Sequence, residues 1–353
     1  MMDRYRYESK ILSQFRLLNA AKTSLAIAIG LLLTWALSDT VAKAQWIVIS
    51  SVVVMATLPN VGGVLQKAAL RVGGTILAGV VAIVLVLILG GHPIAVGAAL
   101  VIICGFFVYL GGNPKIGYLG SLAAITLIIM VDVFEPHLEQ VFWRGINIVI
   151  GVSIALLVTR FVFPIRARLQ LRLSMAETVE QFGKLVRTLE PIREEKTSPC
   201  DEVEDSIVQG ILMQRGLLPL AATESRGFRS NRAAYEDVIL AERMVLRVTQ
   251  VIRYAMGHSE DGAAMIRSLE QISPLREDIS IRLEELSNGL RKSKQISKGI
   301  AQSESEAQLK QDLRELMSEV SDRTFLSPPT FVFAMEYLRR EVNHLHEAIN
   351  KML

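Results

Sequence analysis

Uncharged windows dominate the first 165 positions and vanish after them. Residues 23–38, 44–66, 72–114, 116–131 and 145–159 contain no Asp, Glu, Lys or Arg. About 20 apolar residues span the hydrocarbon core of a bilayer as a helix. The third window, 43 residues long, has room for two such helices. It breaks at Gly90, Gly91, His92 and Pro93, where two glycines and a proline favour a tight turn over continued helix. The pattern therefore predicts six spans, at 18–38, 44–59, 72–90, 93–111, 116–132 and 144–163. The competing reading is a soluble core of helices apolar on every side, which few domains of this length contain.

After Pro164 the pattern changes to helical amphipathicity. Leu169, Leu171, Leu173, Met175, Val179, Phe182, Leu185 and Val186 recur among charges, as on helices with one buried face. Breakers at 190–199, 224–227, 258–262, 292–305 and 327–329 divide this half into five or six helices, with no strand pattern. Pro328 and Pro329 open a last helix running to about Lys351, since proline is tolerated in a first turn. The predicted fold class is an all-α membrane protein: a six-span transmembrane domain over 1–165 and a cytoplasmic α-helical domain over 166–353.

Charge sharpens the division. Positions before Ile165 hold 11 Lys/Arg and 6 Asp/Glu, and the remainder holds 27 and 29. The overall charge of +3 thus conceals a basic apolar half and a slightly acidic polar half. Without a basic block interleaved with aromatics, nucleic acid is not an expected partner. Cytoplasmic loops retain Lys and Arg. Placing the N-terminus inside puts Arg4, Arg6, Lys10, Arg16, Lys22, Lys67, Arg71, Lys115 and Arg160 on the inner side and leaves only Lys43 and Arg144 outside. Both termini are then cytoplasmic, and the number of spans is even. Five charges in the first ten residues and no cleavable apolar core argue against a removable signal peptide. Cys104 and Cys200 are too few for a disulfide framework or a thiolate metal site.

Small residues recur four apart, as in Gly74, Ala78 and Ala82, or Gly151 and Ala155, and allow helices to approach closely in lipid. This fits packing within one bundle or a dimer seam. A 3+3 inverted repeat is also a candidate. Met55, Pro59, Arg71 and Gly73 in one half are echoed by Met130, Pro136, Arg144 and Gly145 in the other, which would set Arg71 and Arg144 at matched helix starts on opposite membrane faces.

The stretch from Gln45 to Gly79 contains Trp46-Ile47-x-Ile49 at a helix start, then Leu58, Pro59, Asn60, Val61, Gly62 and Gly63. Lys67, Arg71, Gly73, Gly74, Thr75 and Gly79 follow. With Arg144, Gly145, Gly151, Pro164 and Arg166 further on, this pattern resembles the fusaric-acid-resistance-like membrane family of aromatic acid exporters, with the aluminium-activated malate transporters as more distant relatives. The resemblance implies a membrane transport protein of organic anions. Many such exporters carry two membrane halves in tandem and this sequence carries one, so the resemblance implies a homodimer with any pore near its two-fold axis.

Enzymatic chemistry is not expected. No phosphate-binding glycine loop, dinucleotide fingerprint or His-Glu-x-x-His occurs, and no nucleophile, base and orienting group come together in the pattern. No cofactor or metal is called for. His344 and His346 fit a solvated surface pair better than a metal site. Arg226, Arg229, Arg232 and Arg243 fit a salt-bridged helix face.

Ionisable residues within or beside apolar spans are functional candidates. Lys67, Arg71, Lys115 and Arg144 are the first set, because rings of cationic side chains suit anion selectivity. Pro59, Asn60, Gly62 and Gly63 are the second, because an interrupted helix frees backbone amides that can face an anion. Lys22, Trp46 and Arg160 are secondary. Snorkelling is the favoured account of Lys22 and Arg160, and an interfacial anchor that of Trp46, while for Arg71 and Arg144 snorkelling and function stand level. The expected function is efflux of organic anions, aromatic carboxylates among them, across a bacterial inner membrane. The alternatives are a passive anion channel, or a membrane-anchored helical scaffold recruiting a cytoplasmic or periplasmic partner.

Overall fold

The computed structural model describes residues 2–37, 44–56, 60–113, 116–131, 138–190, 198–257, 264, 266, 272–296, 311 and 327–353. Regular structure among them is helical throughout. The chain divides into two compact units, Met1–Ala167 and Arg168–Leu353.

The first unit contains α1 (Met2–Ala36), α2 (Gln45–Met55), α3 (Val61–Leu89), α4 (Pro93–Gly111), α5 (Gly117–Met130) and α6 (Leu138–Phe161). Among the described residues four segments are long and apolar enough to cross a membrane: Leu17–Ala36, α3, α4 and α6. The other two helices are equally apolar but only 11 and 14 residues long. At about 1.5 Å per residue they fall short of a hydrocarbon core about 30 Å thick. The sequence pattern extended them to 44–59 and 116–132, but residues 57–59 and 132 lie outside the described residues.

A second difference concerns α3. The pattern began it at residue 72 because Lys67 and Arg71 interrupt the uncharged run, whereas the helix starts at Val61. Local chemistry sets that start: Asn60 adopts extended backbone and its Oδ1 accepts the Gly63 N–H at 2.8 Å. Gly62 and Gly63 oppose helix only in its first turn, beside the Asn60 cap, and the good helix formers from Leu65 to Leu70 carry it on, so Lys67 and Arg71 ride inside it. The turn at Gly90–His92, by contrast, falls where its glycines and Pro93 placed it.

Packing here depends on small residues. A methyl group at Gly151 would overlap the carbonyl of Ile47, and one at Gly120 the carbonyl of Phe107, so α2 meets α6 and α4 meets α5 backbone to backbone. One buried cluster joins α1, α2, α3 and α6 around Ile47, Met55, Ile148 and Ala155. A second joins α3, α4 and α5 around Ala78, Leu100, Ala123 and Leu127. The outer surface is the reverse of a soluble protein's, with Leu31, Trp35, Leu87, Ile88, Ile94 and Tyr109 exposed. Such an exterior is stable against lipid and not against water.

The second unit contains α7 (Ala167–Arg187), α8 (Pro199–Glu224), α9 (Arg226–Ser230), α10 (Arg232–Gly257), α11 (Ile272–Lys292) and α12 (Ser327–Met352). Each long helix buries one face, as with Val238, Val245 and Ile252 of α10 and Met335, Leu338, Val342 and Leu345 of α12. Some buried polar groups are tied down, whereas Glu242 and the Gln214 Oε1 have no hydrogen-bond partner among the described residues. Arg253 pairs with Asp201 and Glu204, both at 2.5 Å, and donates to the Glu190 carbonyl at 3.1 Å. His346, expected in solvent, is instead 8 % exposed beside Arg282 and Asn350, while His344 stays outside near Glu341. Two positions apart on a helix is about 200°, so one histidine of such a pair faces the core whenever the other faces water. Arg229 and Arg232 bond the Ala222 carbonyl and Glu236, as a structural helix face requires.

Candidate functional site

The apolar first unit buries three long cations: Lys22 at 2 %, Arg71 at 3 % and Arg144 at 4 % exposure. Arg71 is the eleventh residue of α3 and Arg144 the seventh of α6, so both lie well inside their helices. The structure brings these two together. Their helices pack against each other and the charge of Arg71 reaches Arg144, which does not fit placement on opposite membrane faces. The repeat-based expectation fails because both positions were read as helix starts, while α3 carries Arg71 about 15 Å from its beginning.

The neighbours of the pair are aromatic and hydroxylic. The Arg144 guanidinium carbon lies 3.0 Å from the ring centroid of Trp46, at the start of α2. Trp46 thus contacts the cation instead of serving only as an interfacial anchor. Arg71 Nη1 is 3.5 Å from Thr126 Oγ1 of α5. One turn before Arg71 on α3, Lys67 Nζ stands 5.3 Å from the ring centre of Tyr118, whose hydroxyl donates to the Val53 carbonyl at 3.4 Å. Tyr118 also feels the charge of Arg71. Lys67, Tyr118, Arg71, Thr126, Arg144 and Trp46 therefore form a chain of neighbours drawn from α2, α3, α5 and α6.

None of the three Arg144 guanidinium nitrogens has a hydrogen-bond partner among the described residues, and neither has Arg71 Nε. Among the described residues no carboxylate pairs with either cation; Glu139, in the first turn of α6, bonds the Trp143 indole at 3.3 Å. A buried, unpaired guanidinium costs several kcal/mol, on the order of what a buried ion pair loses when one partner is removed. Such a group is stable where an anion or water reaches it. Planar donors that stay protonated at every physiological pH suit carboxylate, and the indole face next to one of them suits a flat apolar body.

The remaining candidates fall elsewhere. Asn60 is the cap of α3, and the amides of Val61 and Gly63 are spent on the Ile165 carbonyl and the Asn60 side chain. The broken helix offers no free pair of amides at these positions, because the cap that ends the break consumes them; Gly62 is buried between them. Pro59 and Lys115 lie outside the described residues. Lys22 is enclosed with its Nζ unpartnered, so its head group does not snorkel among the described residues. Arg160 is exposed in the last turn of α6, where a cation offsets the helix dipole. Sequence reasoning missed Tyr118 and Thr126. An aromatic directly after the glycine opening α5 was a usable signal for the first; nothing distinguishes Thr126 from other buried threonines.

No group of three or more metal-ligating side chains occurs among the described residues. Inner membrane protein YeeA of Escherichia coli (strain K12) is 25 % identical over 224 residues, which is 62 % of this chain and 61 % of that protein. The chain therefore matches less than two thirds of that relative's length. A model of the fusaric acid resistance protein family matches residues 16–352. With its apolar spans and nearly all of its length inside that match, the chain is a membrane protein belonging to the fusaric acid resistance protein family.

Proposed function

We propose that this protein exports organic anions, aromatic carboxylates among them, across a bacterial inner membrane, with Arg71 and Arg144 as the anion site. The observation that carries this reading is the unneutralised pair itself: two buried guanidinium groups with no described carboxylate on either, Arg144 without a hydrogen bond among the described residues and Arg71 with the Thr126 hydroxyl and an open Nε. Lys67 draws the anion from the cytoplasm, Arg71 and Arg144 hold it, and Trp46 supports a planar body. Lys115 is a further inner-side cation in this scheme.

The same reading takes α2 and α5 as short spans completing a set of six, with both termini and the helical unit in the cytoplasm. Basic residues cluster on the side this assigns to the cytoplasm. The family's membrane nature and the relative's description as an inner membrane protein support the location. A homodimer gives a single six-span unit the partner half that tandem exporters carry in one chain. In this reading the protein acts as a transporter and not as an enzyme: among the described residues no base stands with the Thr126 hydroxyl beside the buried cations.

The test is flux of benzoate through purified protein in liposomes. Arg71→Gln and Arg144→Gln should each lower flux roughly tenfold to a hundredfold, as expected for loss of a charge-assisted contact worth about 1.5–3 kcal/mol. Trp46→Leu should weaken benzoate more than acetate. Unchanged flux in both arginine variants removes the pair from the mechanism. Running the assay with and without a proton gradient separates coupled export from a passive channel.

A further inference from the structure

The second unit holds a cavity of about 200 Å³ that the membrane site does not involve. Its walls are mainly apolar: Leu189 follows α7, Met256 ends α10, Ile272 begins α11, and Ile266 and Phe331 complete the lining. All but Met256 are among the buried side chains of the unit. The polar contributors among the described residues, Ser273 and Arg276, sit three apart on α11 and so share one face of its first turns.

That polar end favours negative charge in three ways. Arg276 uses Nε on the Val186 carbonyl at 2.8 Å and Nη2 on the Arg187 carbonyl, which fixes its guanidinium plane. No hydrogen bond holds its Nη1 among the described residues, and no described carboxylate pairs with it. Glu277, its neighbour in sequence, instead pairs with Arg187 at 3.2 Å. The Ser273 hydroxyl adds a donor. A helix of 21 residues begins here; Pro274 carries no N–H, and the amides of Ile272, Ser273 and Leu275 have no acceptor within the helix. Burial pushes the Arg276 guanidinium below its ordinary value, as expected of a cation lacking a full counter-charge.

We infer that this cavity binds a small amphipathic carboxylate, its carboxyl group on Arg276 and Ser273 and its apolar body against Met256, Ile272 and Phe331. The site is independent of the Arg71–Arg144 reading and uses none of its residues. If both hold, the helical unit senses the class of compound that the membrane unit moves.

The probe is 4-fluorobenzoate, followed by fluorine NMR line broadening on the full chain in nanodiscs. An Arg71→Gln/Arg144→Gln background removes the proposed membrane site, so the remaining saturable binding reports on the cavity alone. There, Arg276→Gln should weaken binding roughly tenfold or more, as loss of a charged donor does. Because Arg276 also holds the end of α7, a second variant is needed. Met256→Trp fills the cavity and leaves the Arg276 contacts in place, and it should weaken binding to a similar degree. Inorganic phosphate, which carries charge without an apolar body, should compete poorly. Absence of saturable binding in the Arg71→Gln/Arg144→Gln protein overturns the inference, as does binding that survives both Arg276→Gln and Met256→Trp. Neither result bears on flux through the membrane unit.

Discussion

Arg144 and Arg253 are two arginines of nearly equal burial, 4 % and 1 % exposed, that the protein treats in opposite ways. Arg253, in the second unit, is held by Asp201, Glu204, the Ser198 hydroxyl and the Glu190 carbonyl. Burial alone would weaken its hold on the proton, but these partners outweigh it and raise its affinity. The same contacts keep the Asp201 carboxyl below the usual carboxylate range. Arg144 has an indole face on one side, a second guanidinium nearby and no described hydrogen-bond acceptor. A charge satisfied within the protein is a brace. A charge left unsatisfied in an apolar surround is an offer to something that comes and goes.

The largest effect that would sharpen this contrast is on stability. Arg253→Met leaves Asp201 and Glu204 facing each other without their shared cation, and should destabilise the helical unit by about 3 kcal/mol. Hydrogen exchange should rise first at the start of α8, which carries both carboxylates. Protection unchanged there would mean the brace is ornamental.

Arg144→Met should act in the opposite sense. It removes a buried charge that has no internal partner, so stability should hold or rise by about 1–4 kcal/mol while anion flux is lost. Thermal unfolding in nanodiscs together with benzoate flux measures both. A loss of stability as large as that of Arg253→Met would show that Arg144 has a counter-charge of its own, and the comparison would break.

The two arginines also mark what the sequence could disclose. Hydropathy made the four long spans visible, and Gly90, Gly91 and Pro93 located the turn between α3 and α4, because both signals are local. Arg71 and Arg144 stood out for the same local reason, as charges next to apolar runs. That they meet was not visible: it depends on how far α3 extends before Arg71, which Asn60 decides by capping Gly63. The same positions suggested an inverted repeat and so pointed to opposite faces. Partner choice is a tertiary property. Nothing around Arg253 in the sequence told it apart from Arg243 or Arg247, and His346 was misplaced in solvent because its burial depends on the helix that packs against it. Residues such as Thr126 acquire meaning only once α5 is laid against α3.

Glu242 supplies the smallest effect and the mirror image of Arg144, a buried acid whose partners are incomplete. It is fully enclosed in α10, and burial raises its carboxyl well above the ordinary range, offset in part by the Gln214 amide. One N–H of that amide goes to Thr178 Oγ1 at 3.0 Å, and the Gln214 Oε1 acceptor has no partner among the described residues. A protonated Glu242 can donate to it; an ionised one cannot. The unfolded chain releases this proton at the ordinary carboxylate value, while the folded chain keeps it to a higher pH. Above the unfolded value the unfolded state therefore binds fewer protons, and stability falls as pH rises toward the folded value. Glu242→Gln replaces the titrating group with an amide of the same shape that can always donate to Gln214. It should stabilise the helical unit by about 1–2 kcal/mol at pH 8, leave it little changed at pH 4, and flatten the decline between them. Equal melting shifts at both pH values would mean that Glu242 holds its proton no more tightly in the folded chain than in the unfolded one, and that its burial is compensated by a partner.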